Sequence, residues 1–103
     1  MTLKNIILLG ATGSIGNSTL KLIRQKREEF NLIGISAYSK VDELKMIANE
    51  FGVKNICYFK NNTNTDFGND INIMLGEKGL LELTSLKCDL VVSGISGLAG
   101  LMP

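Results

Sequence analysis

The sequence contains no histidine, and its two cysteines, Cys57 and Cys88, form no C-x-x-C pair. No group of carboxylates has the spacing of metal ligands, and no nucleophile is paired with a base. The residues themselves therefore offer neither a metal site nor a catalytic side chain. The two thiols are interpreted as reduced and mostly buried, as in a cytosolic protein.

An excess of charge of one sign is also missing, because 11 basic residues balance 10 acidic ones for a net charge of +1. This balance gives no electrostatic reason to expect nucleic acid or an anionic membrane as a partner. The apolar runs are far shorter than the roughly 18 residues of a membrane-spanning helix. The short run after Lys4 leads into a glycine-rich loop, which argues against a signal peptide. The length of 103 residues and the 45% apolar content are typical of one globular domain.

The glycine-rich loop follows the apolar run 6–9 and reads G-A-T-G-S-I-G from Gly10 to Gly16. A strand that is followed by a glycine-rich loop and then by a helical pattern of apolar residues places a helix N-terminus where it can bind a phosphate. One glycine permits the tight turn, one lets the backbone approach a pyrophosphate, and one lets the helix pack closely. The alternative is a structural turn, since the spacing varies the usual fingerprint. The cofactor-binding residues expected here are Gly10, Thr12, Gly13, Ser14, Ile15 and Gly16.

Strands and helices alternate along the rest of the chain. The periodicity and the turn residues predict strands over 4–10, 31–37, 53–59, 71–75 and 88–93, and helices over 14–29, 41–52 and 77–86. The polar cluster 60–66 is expected to be a surface loop. Right-handed crossovers then give an α/β fold with a doubly wound, mostly parallel sheet, a Rossmann-like NAD(P)-binding domain. The glycine loop lies at the carboxyl ends of its strands, where such folds bind ligands.

Each predicted helix carries an apolar face that is expected to pack on the sheet. These faces consist of Ile15, Thr19, Leu22, Ile23 and Phe30 in the first helix, Leu44, Ile47, Ala48 and Phe51 in the second, and Leu80, Leu81 and Leu83 in the third. The apolar run over 88–93 is typical of a strand buried on both faces of a parallel sheet. Asp89 is a lone polar residue at its start.

The end of the second predicted strand distinguishes the two nicotinamide cofactors. An NAD site has a carboxylate there for the ribose 2′-hydroxyl, but the chain reads Tyr38-Ser39-Lys40, with no carboxylate before Asp42. A lysine and a hydroxyl attract the 2′-phosphate that a carboxylate would repel. We expect NADP, with Lys40 as charge partner, Ser39 as donor and Tyr38 lining the adenine. The alternative is that Lys40 is a solvated loop lysine.

A second glycine-rich segment, Ser93–Gly100, repeats the three-residue glycine spacing after the last predicted strand. Either the backbone at Gly94 and Ile95 borders the nicotinamide-ribose half of the cofactor, or the small residues serve close packing, and both interpretations stay open. The chain stops at Pro103 just as a new helix begins. We therefore expect residues 1–103 to be an NADPH-binding domain truncated at its C-terminal end, the front part of a longer protein.

The stretch Gly10–Leu20, GATGSIGNSTL, closely resembles the opening motif of the 1-deoxy-D-xylulose 5-phosphate reductoisomerase family. The stretch Ser93–Pro103, SGISGLAGLMP, is similar to that family's strand and glycine-rich turn. The resemblance covers only the N-terminal, NADPH-binding part of the family's chain. It implies an enzyme that rearranges 1-deoxy-D-xylulose 5-phosphate to an aldehyde and reduces this with NADPH to 2-C-methyl-D-erythritol 4-phosphate, in non-mevalonate isoprenoid biosynthesis. It also implies a divalent metal (Mg²⁺, Mn²⁺ or Co²⁺), a homodimer and a location in the bacterial cytoplasm, or alternatively in plastids.

The resemblance also assigns roles to individual residues. The positions that match the family's pyrophosphate-binding residues are Thr12, Gly13, Ser14 and Ile15. The family's 2′-phosphate loop, often Gly-Lys-Asn, corresponds to Tyr38-Ser39-Lys40, so the glycine is replaced by a tyrosine and the lysine stands one place later. The metal-binding carboxylates, the substrate-phosphate residues and the lid lie in later segments of the family. No catalytic or metal-binding residue is therefore assigned in this chain.

Two other functions stay open. Another NADP-dependent reductase with a G-A-T-G loop, such as a relative of aspartate-semialdehyde or N-acetylglutamyl-phosphate reductase, would need a catalytic cysteine, and neither Cys57 nor Cys88 has suitable surroundings. A non-catalytic dinucleotide-sensing module would keep the loop and lack a reaction centre. This chain alone is expected to be inactive, whereas the full-length protein is expected to be an NADPH-dependent oxidoreductase.

Overall fold

A computed structural model describes residues 3–61 and 64–94, which form five strands and three helices. The strands are β1 (Lys4–Leu9), β2 (Phe30–Ala37), β3 (Asn55–Tyr58), β4 (Asn72–Leu75) and β5 (Leu90–Ser93). The helices are α1 (Ser14–Gln25), α2 (Val41–Phe51) and α3 (Gly76–Thr84). None of these described helices has the length and hydropathy needed to cross a membrane.

The five strands form one sheet in the order β4-β3-β2-β1-β5, and every neighbouring pair is parallel. The chain moves outward from β1 to β4, and α3 then leads back to β5 on the other side of β1. The winding therefore reverses beside β1, which is the switch point where doubly wound sheets bind ligands. The predicted fold class is confirmed, with a sheet that is parallel throughout the described residues.

Alternating side chains on β1 contribute to a hydrophobic core on each face of the sheet. One core packs α1 and α2 on the sheet and includes Ile6, Leu8, Leu20, Ile23, Ile35, Leu44 and Ile56. The other packs α3 on the opposite face and consists of Ile7, Leu9, Cys57, Met74, Leu80 and Leu83. Helices thus cover both faces, and the ligand site of such a fold belongs at the carboxyl ends of its strands.

Helix α1 ends at Gln25 and not at residue 29 as predicted. Lys26 leaves helical geometry with φ −129° and ψ 46°, and the amides of Glu29 and Phe30 then donate to its carbonyl oxygen in a tight turn. Phe30, expected on the apolar face of the helix, begins β2 instead. The expectation was wrong because no glycine or proline marks this helix end and charged residues continue through the turn.

The buried face of α1 also differs from the predicted one. Gly16, Leu20 and Ile23 face the core, whereas Ile15 and Leu22 are 56% and 48% exposed. Gly16 brings the first turn of the helix close to the backbone of Gly10 and Ala11. The positions of the apolar side chains in the sequence do not reveal this contact. An open groove of about 360 Å³ on the outer side of the helix is lined by Ser14, Ile15, Ser18, Thr19 and Leu22.

Most of the other elements are slightly shorter than predicted, whereas β2 is one residue longer. Helix α2 stops before Gly52, whose φ of 67° gives a left-handed cap, so the predicted stop signal is confirmed. β3 covers only 55–58 of the predicted 53–59, and α3 covers 76–84 where 77–86 was predicted. Leu80 and Leu83 face the core as expected, but Leu81 is 69% exposed. Boundaries of this kind depend on hydrogen bonds that hydrophobic periodicity does not specify.

Within the described residues, β5 is an edge strand that pairs on one side with β1. Leu90 and Val91 are 50% and 41% exposed, so the expectation of a strand buried on both faces was wrong. The apolar composition does not reveal how many neighbours a strand has. Asp89, at the start of this strand, is joined to the main chain of Asn5: its carboxylate accepts a hydrogen bond from the Asn5 amide at 2.7 Å, and its own amide donates to the Asn5 carbonyl oxygen at 2.8 Å.

Candidate functional site

The glycine-rich loop lies at the carboxyl end of β1, between the neighbouring ends of β2 and β5. Gly10 begins the loop with φ 72°, in the left-handed region that favours glycine. The amide of Gly13 then donates to the Gly10 carbonyl oxygen at 3.2 Å, and Gly13 is the N-cap of α1. The predicted role of one glycine in the tight turn is therefore confirmed for Gly10.

The buried residue Ser36, near the end of β2, holds this loop in place. Its hydroxyl accepts a hydrogen bond from the Gly10 amide at 3.1 Å, and its carbonyl oxygen accepts one from the Ala11 amide at 2.8 Å. Two consecutive amides thus attach the loop to the neighbouring strand. Sequence reasoning missed Ser36, and the signal it offered is a hydroxyl within the apolar run of the second strand.

Gly16 allows α1 to pack directly on the loop. A β-carbon at this position would lie 2.5 Å from the carbonyl oxygen of Gly10 and 2.6 Å from that of Ala11. Both neighbours are backbone atoms, so no rotation of a side chain could relieve the contact. The predicted packing role of one glycine is therefore confirmed for Gly16.

Gly13 differs from the other two glycines of the loop. Its φ of −91° is open to any residue, and a β-carbon there would only make ordinary contacts of 3.7 Å and 3.8 Å with the carbonyl oxygens of Gly10 and Gly94. Neither the backbone conformation nor packing within the described residues requires glycine here. The position lies exposed at the start of α1, with room for a group that approaches the backbone.

The N-terminus of α1 presents backbone amides on this exposed side. The first helical bond runs from the Asn17 amide to the Gly13 carbonyl oxygen at 2.9 Å, so the amides of Ser14, Ile15 and Gly16 have no partner in the helix. Among the described residues no side chain caps this end, and its first turn carries no acidic residue. Such a helix end is positively polarised and favours an anion. Thr12 is half-buried beside it.

Gly94 closes the site on the side of β5. Its amide donates to the Leu9 carbonyl oxygen at 2.7 Å, and a β-carbon there would lie 3.2 Å from both the amide nitrogen of Gly16 and the β-carbon of Ile15. These contacts give Gly94 a role in close packing. Ile95, the other residue expected in this part of the site, lies outside the described residues.

Tyr38, Ser39 and Lys40 connect β2 to α2 at the same edge of the sheet as the glycine loop. Lys40 precedes the first residue of α2, and its side chain is exposed. Within the described part of the chain, no carboxylate forms an ion pair with its ammonium group. The carbonyl oxygen of Ser39 accepts a hydrogen bond from the Val41 amide at 2.8 Å, which helps to start the helix.

An aromatic pair stands beside this loop. The ring of Tyr38 stacks on that of Phe59 with centroids 5.4 Å apart and an interplanar angle of 19°. The carbonyl oxygen of Tyr38 also accepts hydrogen bonds from the amides of Phe59 at 3.0 Å and Lys60 at 2.9 Å. Sequence reasoning missed Phe59. The available signal is its place directly after β3, which matches the place of Tyr38 directly after β2.

Both cysteines are free thiols, with Cys57 buried and Cys88 half-buried, as expected. Burial, with a smaller contribution from Glu82, raises the pKa of the Cys57 thiol to about 11. In residues 3–61 and 64–94, no three side chains of the metal-binding types are grouped to hold an ion. The arrangement as described can bind an anion beside a flat aromatic surface.

The family model of 1-deoxy-D-xylulose 5-phosphate reductoisomerase matches residues 6–103. This chain belongs to that family. A 1-deoxy-D-xylulose 5-phosphate reductoisomerase from Thermoanaerobacter sp. (strain X514) is 37% identical over 105 residues, which cover 98% of this chain and 28% of the relative. The chain therefore spans little more than a quarter of the length of this curated relative.

Solved structures of reductoisomerases have the same fold over this region. The enzyme from Zymomonas mobilis in complex with NADPH is 28% identical, with a TM-score of 0.85 over 97% of this chain and 28% of its own. A DOX-P reductoisomerase in complex with NADPH, fosmidomycin and magnesium is 40% identical, with a TM-score of 0.84 over 96% of this chain and 26% of its own. The described sheet and helices are thus the N-terminal fold of reductoisomerases.

Proposed function

We propose that this chain is the NADPH-binding part of a 1-deoxy-D-xylulose 5-phosphate reductoisomerase. The observation that carries the proposal is the open position of Gly13 at the positively polarised start of α1. The positive φ of Gly10 and the close contact of Gly16 account for those two glycines. A phosphate group close to the backbone accounts for the third, because glycine there removes the side chain that would keep the phosphate away.

The loop and the first turn of α1 would hold the pyrophosphate. Backbone amides that lack a helical partner can each donate a charge-assisted hydrogen bond to a phosphate oxygen. The hydroxyl groups of Thr12 and Ser14 add side-chain donors at the same end of the helix. The residues we assign to this role are Gly10, Thr12, Gly13, Ser14, Ile15 and Gly16.

The loop after β2 would select NADPH over NADH. The Lys40 ammonium is exposed and forms no ion pair with another described residue, so it is available to the 2′-phosphate. Ser39 would donate a second hydrogen bond to the same phosphate. Tyr38, which replaces the glycine common in the family, would line the adenine.

Bound NADPH would supply the hydride that reduces the aldehyde formed from 1-deoxy-D-xylulose 5-phosphate, which gives 2-C-methyl-D-erythritol 4-phosphate. The backbone at Gly94 and Ile95 would border the nicotinamide-ribose half. The described residues hold no group of metal ligands, so they do not fit the divalent ion (Mg²⁺, Mn²⁺ or Co²⁺) of the reaction. We assign that ion and the catalytic side chains to parts of the enzyme outside this chain.

Location and assembly belong to the same proposal. We propose that residues 1–103 are the front part of a longer enzyme, which forms a homodimer in the bacterial cytoplasm. The bacterial origin of the relatives supports the location, and the small share of their length that the chain spans supports a longer enzyme. The homodimer is what the family resemblance implies. Sedimentation of the full-length enzyme at equilibrium tests the dimer.

Titration with NADPH and NADH tests the cofactor assignment. We expect NADPH to bind at least about tenfold more tightly, which corresponds to one charge-assisted hydrogen bond. Lys40→Ala should remove most of this difference, because it should weaken the binding of NADPH but not that of NADH. Lys54→Ala is the matched control, because Lys54 is an exposed lysine that precedes β3 at the opposite end of the sheet. Equal affinities would contradict the 2′-phosphate assignment, and a lack of binding by either nucleotide would contradict the function.

A further inference from the structure

The contact between Phe59 and Tyr38 gives Phe59 a part in the same site, and this inference rests on the proposed function. We propose that Phe59 is a positioning residue that fixes the ring of Tyr38 as a stacking surface for the adenine base of NADPH. Phe59 itself would not touch the cofactor. Its role would be to hold the ring that does.

The exposure of the two rings leaves one surface open. Tyr38 is 67% exposed although it stacks on Phe59, which is itself 38% exposed. A ring that is covered on one face by a near-parallel neighbour, at 5.4 Å and 19°, still offers its other face. Purine bases stack readily on tyrosine, since the interaction needs only a flat aromatic surface.

Packing of the protein core does not account for this pair. Neither of the two described hydrophobic cores includes Tyr38 or Phe59. The second stacked pair of the protein, Tyr58 with Phe67, has centroids 6.1 Å apart and packs against the first core. The two pairs are similar in geometry but differ in surroundings, and the pair outside the cores is free to serve a ligand.

The backbone keeps Phe59 in register with Tyr38. Ala37 of β2 pairs with Tyr58 of β3, so the next residue of each strand comes side by side. Two amides, those of Phe59 and Lys60, donate to the Tyr38 carbonyl oxygen. The ring of Tyr38 therefore packs on Phe59, which is held at the end of the neighbouring strand. This contact restricts the rotation of the Tyr38 ring in the absence of a nucleotide.

The position agrees with the chemistry of one end of NADPH. Tyr38 is followed directly by Ser39 and Lys40, the residues assigned to the 2′-phosphate. Adenine and the 2′-phosphate are carried by the same ribose, so the surfaces that bind them must be neighbours. Restricting an exposed side chain in advance improves affinity, because less freedom is lost on binding.

The probe for this proposal is 2′,5′-ADP, which has the adenine and the 2′-phosphate but no nicotinamide. We expect Phe59→Leu to weaken its binding about three- to tenfold, the loss that follows when one side chain must be immobilised on binding. Phe59→Tyr keeps a ring and should restore the affinity. Phe67→Leu is the matched control, since it disrupts the other aromatic pair, and it should bind the probe like the unmodified protein.

Two further readouts separate positioning from a general loss of structure. The fluorescence of the 1,N⁶-etheno analogue of 2′,5′-ADP should be quenched by the unmodified protein and less so by Phe59→Leu. In a Tyr38→Ala background, Phe59→Leu should cause no additional loss, because the ring that Phe59 positions is gone. If Phe59→Leu fails to fold, Phe59→Met removes the ring while it keeps a flexible apolar side chain, and it gives the same comparison.

Unchanged affinity in the folded Phe59 variants, or an equal loss with and without Tyr38, would overturn the role of Phe59 while leaving the proposed function in place. Failure of the unmodified protein to bind 2′,5′-ADP and NADPH would overturn both.

Discussion

A β-carbon on Gly16 would lie 2.5 Å from the carbonyl oxygen of Gly10, so α1 touches the glycine loop only while residue 16 has no side chain. Gly94 approaches the same point from β5, because a β-carbon on it would lie 3.2 Å from the amide nitrogen of Gly16. Three backbone segments therefore meet at the start of one helix. Their contact fixes the first turn of α1, where the proposed pyrophosphate site lies.

Gly16→Ala should destabilise the fold. Alanine gains about 1 kcal/mol of helix propensity over glycine, but the contact with the Gly10 carbonyl oxygen can be relieved only by a shift of the loop or the helix. Overpacking typically costs about 1–3 kcal/mol, and a contact with backbone atoms belongs at the upper end of that range. We expect a net loss of roughly 2 kcal/mol in urea denaturation. A variant as stable as the unmodified protein would show that the helix does not pack on the loop as described.

The free energy of unfolding should decrease at low pH, because the Glu50 carboxylate becomes protonated there. Arg24 donates to it from Nη2 at 2.9 Å, and Arg27 lies 3.5 Å from it, so this group joins α1 to α2. The hydrogen bond from Arg24 holds the pKa of the Glu50 carboxyl below its usual value. Because the pKa is depressed in the folded state, the contribution is fully present above the unfolded value of about 4.3 and is lost as the pH falls through the folded value.

The measurement compares thermal unfolding of the unmodified protein and Glu50→Gln between pH 7 and pH 3. The two melting temperatures should differ at pH 7 and converge as the pH falls below the unfolded value of about 4.3. The difference should also shrink in 1 M salt, since the groups are solvent-exposed. Glu28→Gln is the control, because it removes an exposed carboxylate on the turn after α1. Its melting temperature should stay close to that of the unmodified protein over the whole pH range. A difference that persists unchanged at low pH would exclude the ion pair as its cause.

Cys57 should be a poor nucleophile. With a pKa of about 11, only about one thiol in a thousand is ionised at pH 8. A thiol-specific reagent such as DTNB should therefore react with native Cys88→Ser far more slowly than with the same variant in denaturant. Rapid reaction of native Cys57 would contradict the burial of this thiol.

Patterns local in sequence predicted most of this structure. The alternation of apolar runs and helical periods was sufficient for the doubly wound sheet, and the glycine spacing for the positions of Gly10 and Gly16. The predicted end of α1 was wrong because no glycine or proline marks it, whereas the predicted buried face of α1 and the predicted burial of β5 were wrong because they depend on contacts with other segments. Ser36 and Phe59 were missed for the same reason. Their partners, Gly10 and Tyr38, are brought beside them by strand register, which a single sequence does not display.

The isolated 103-residue chain should not turn over 1-deoxy-D-xylulose 5-phosphate, even with NADPH and Mn²⁺ supplied. Its described residues hold no group of metal ligands, and Cys57 is a buried, protonated thiol. The assay follows the absorbance of NADPH at high protein concentration, with a complete reductoisomerase as the positive control. Any substrate-dependent oxidation of NADPH would show that catalytic groups lie within this chain after all.

NADPH binding by Gly13→Val tests the central claim most directly. Valine suits the extended conformation of residue 13, and a β-carbon there meets no described atom closer than 3.7 Å. We predict only a small loss of stability, because valine is a poorer N-cap than glycine, together with a dissociation constant for NADPH raised at least about tenfold, the loss of one charge-assisted hydrogen bond to phosphate. A stably folded Gly13→Val protein that binds NADPH as tightly as the unmodified one would contradict the close approach of a pyrophosphate to this backbone.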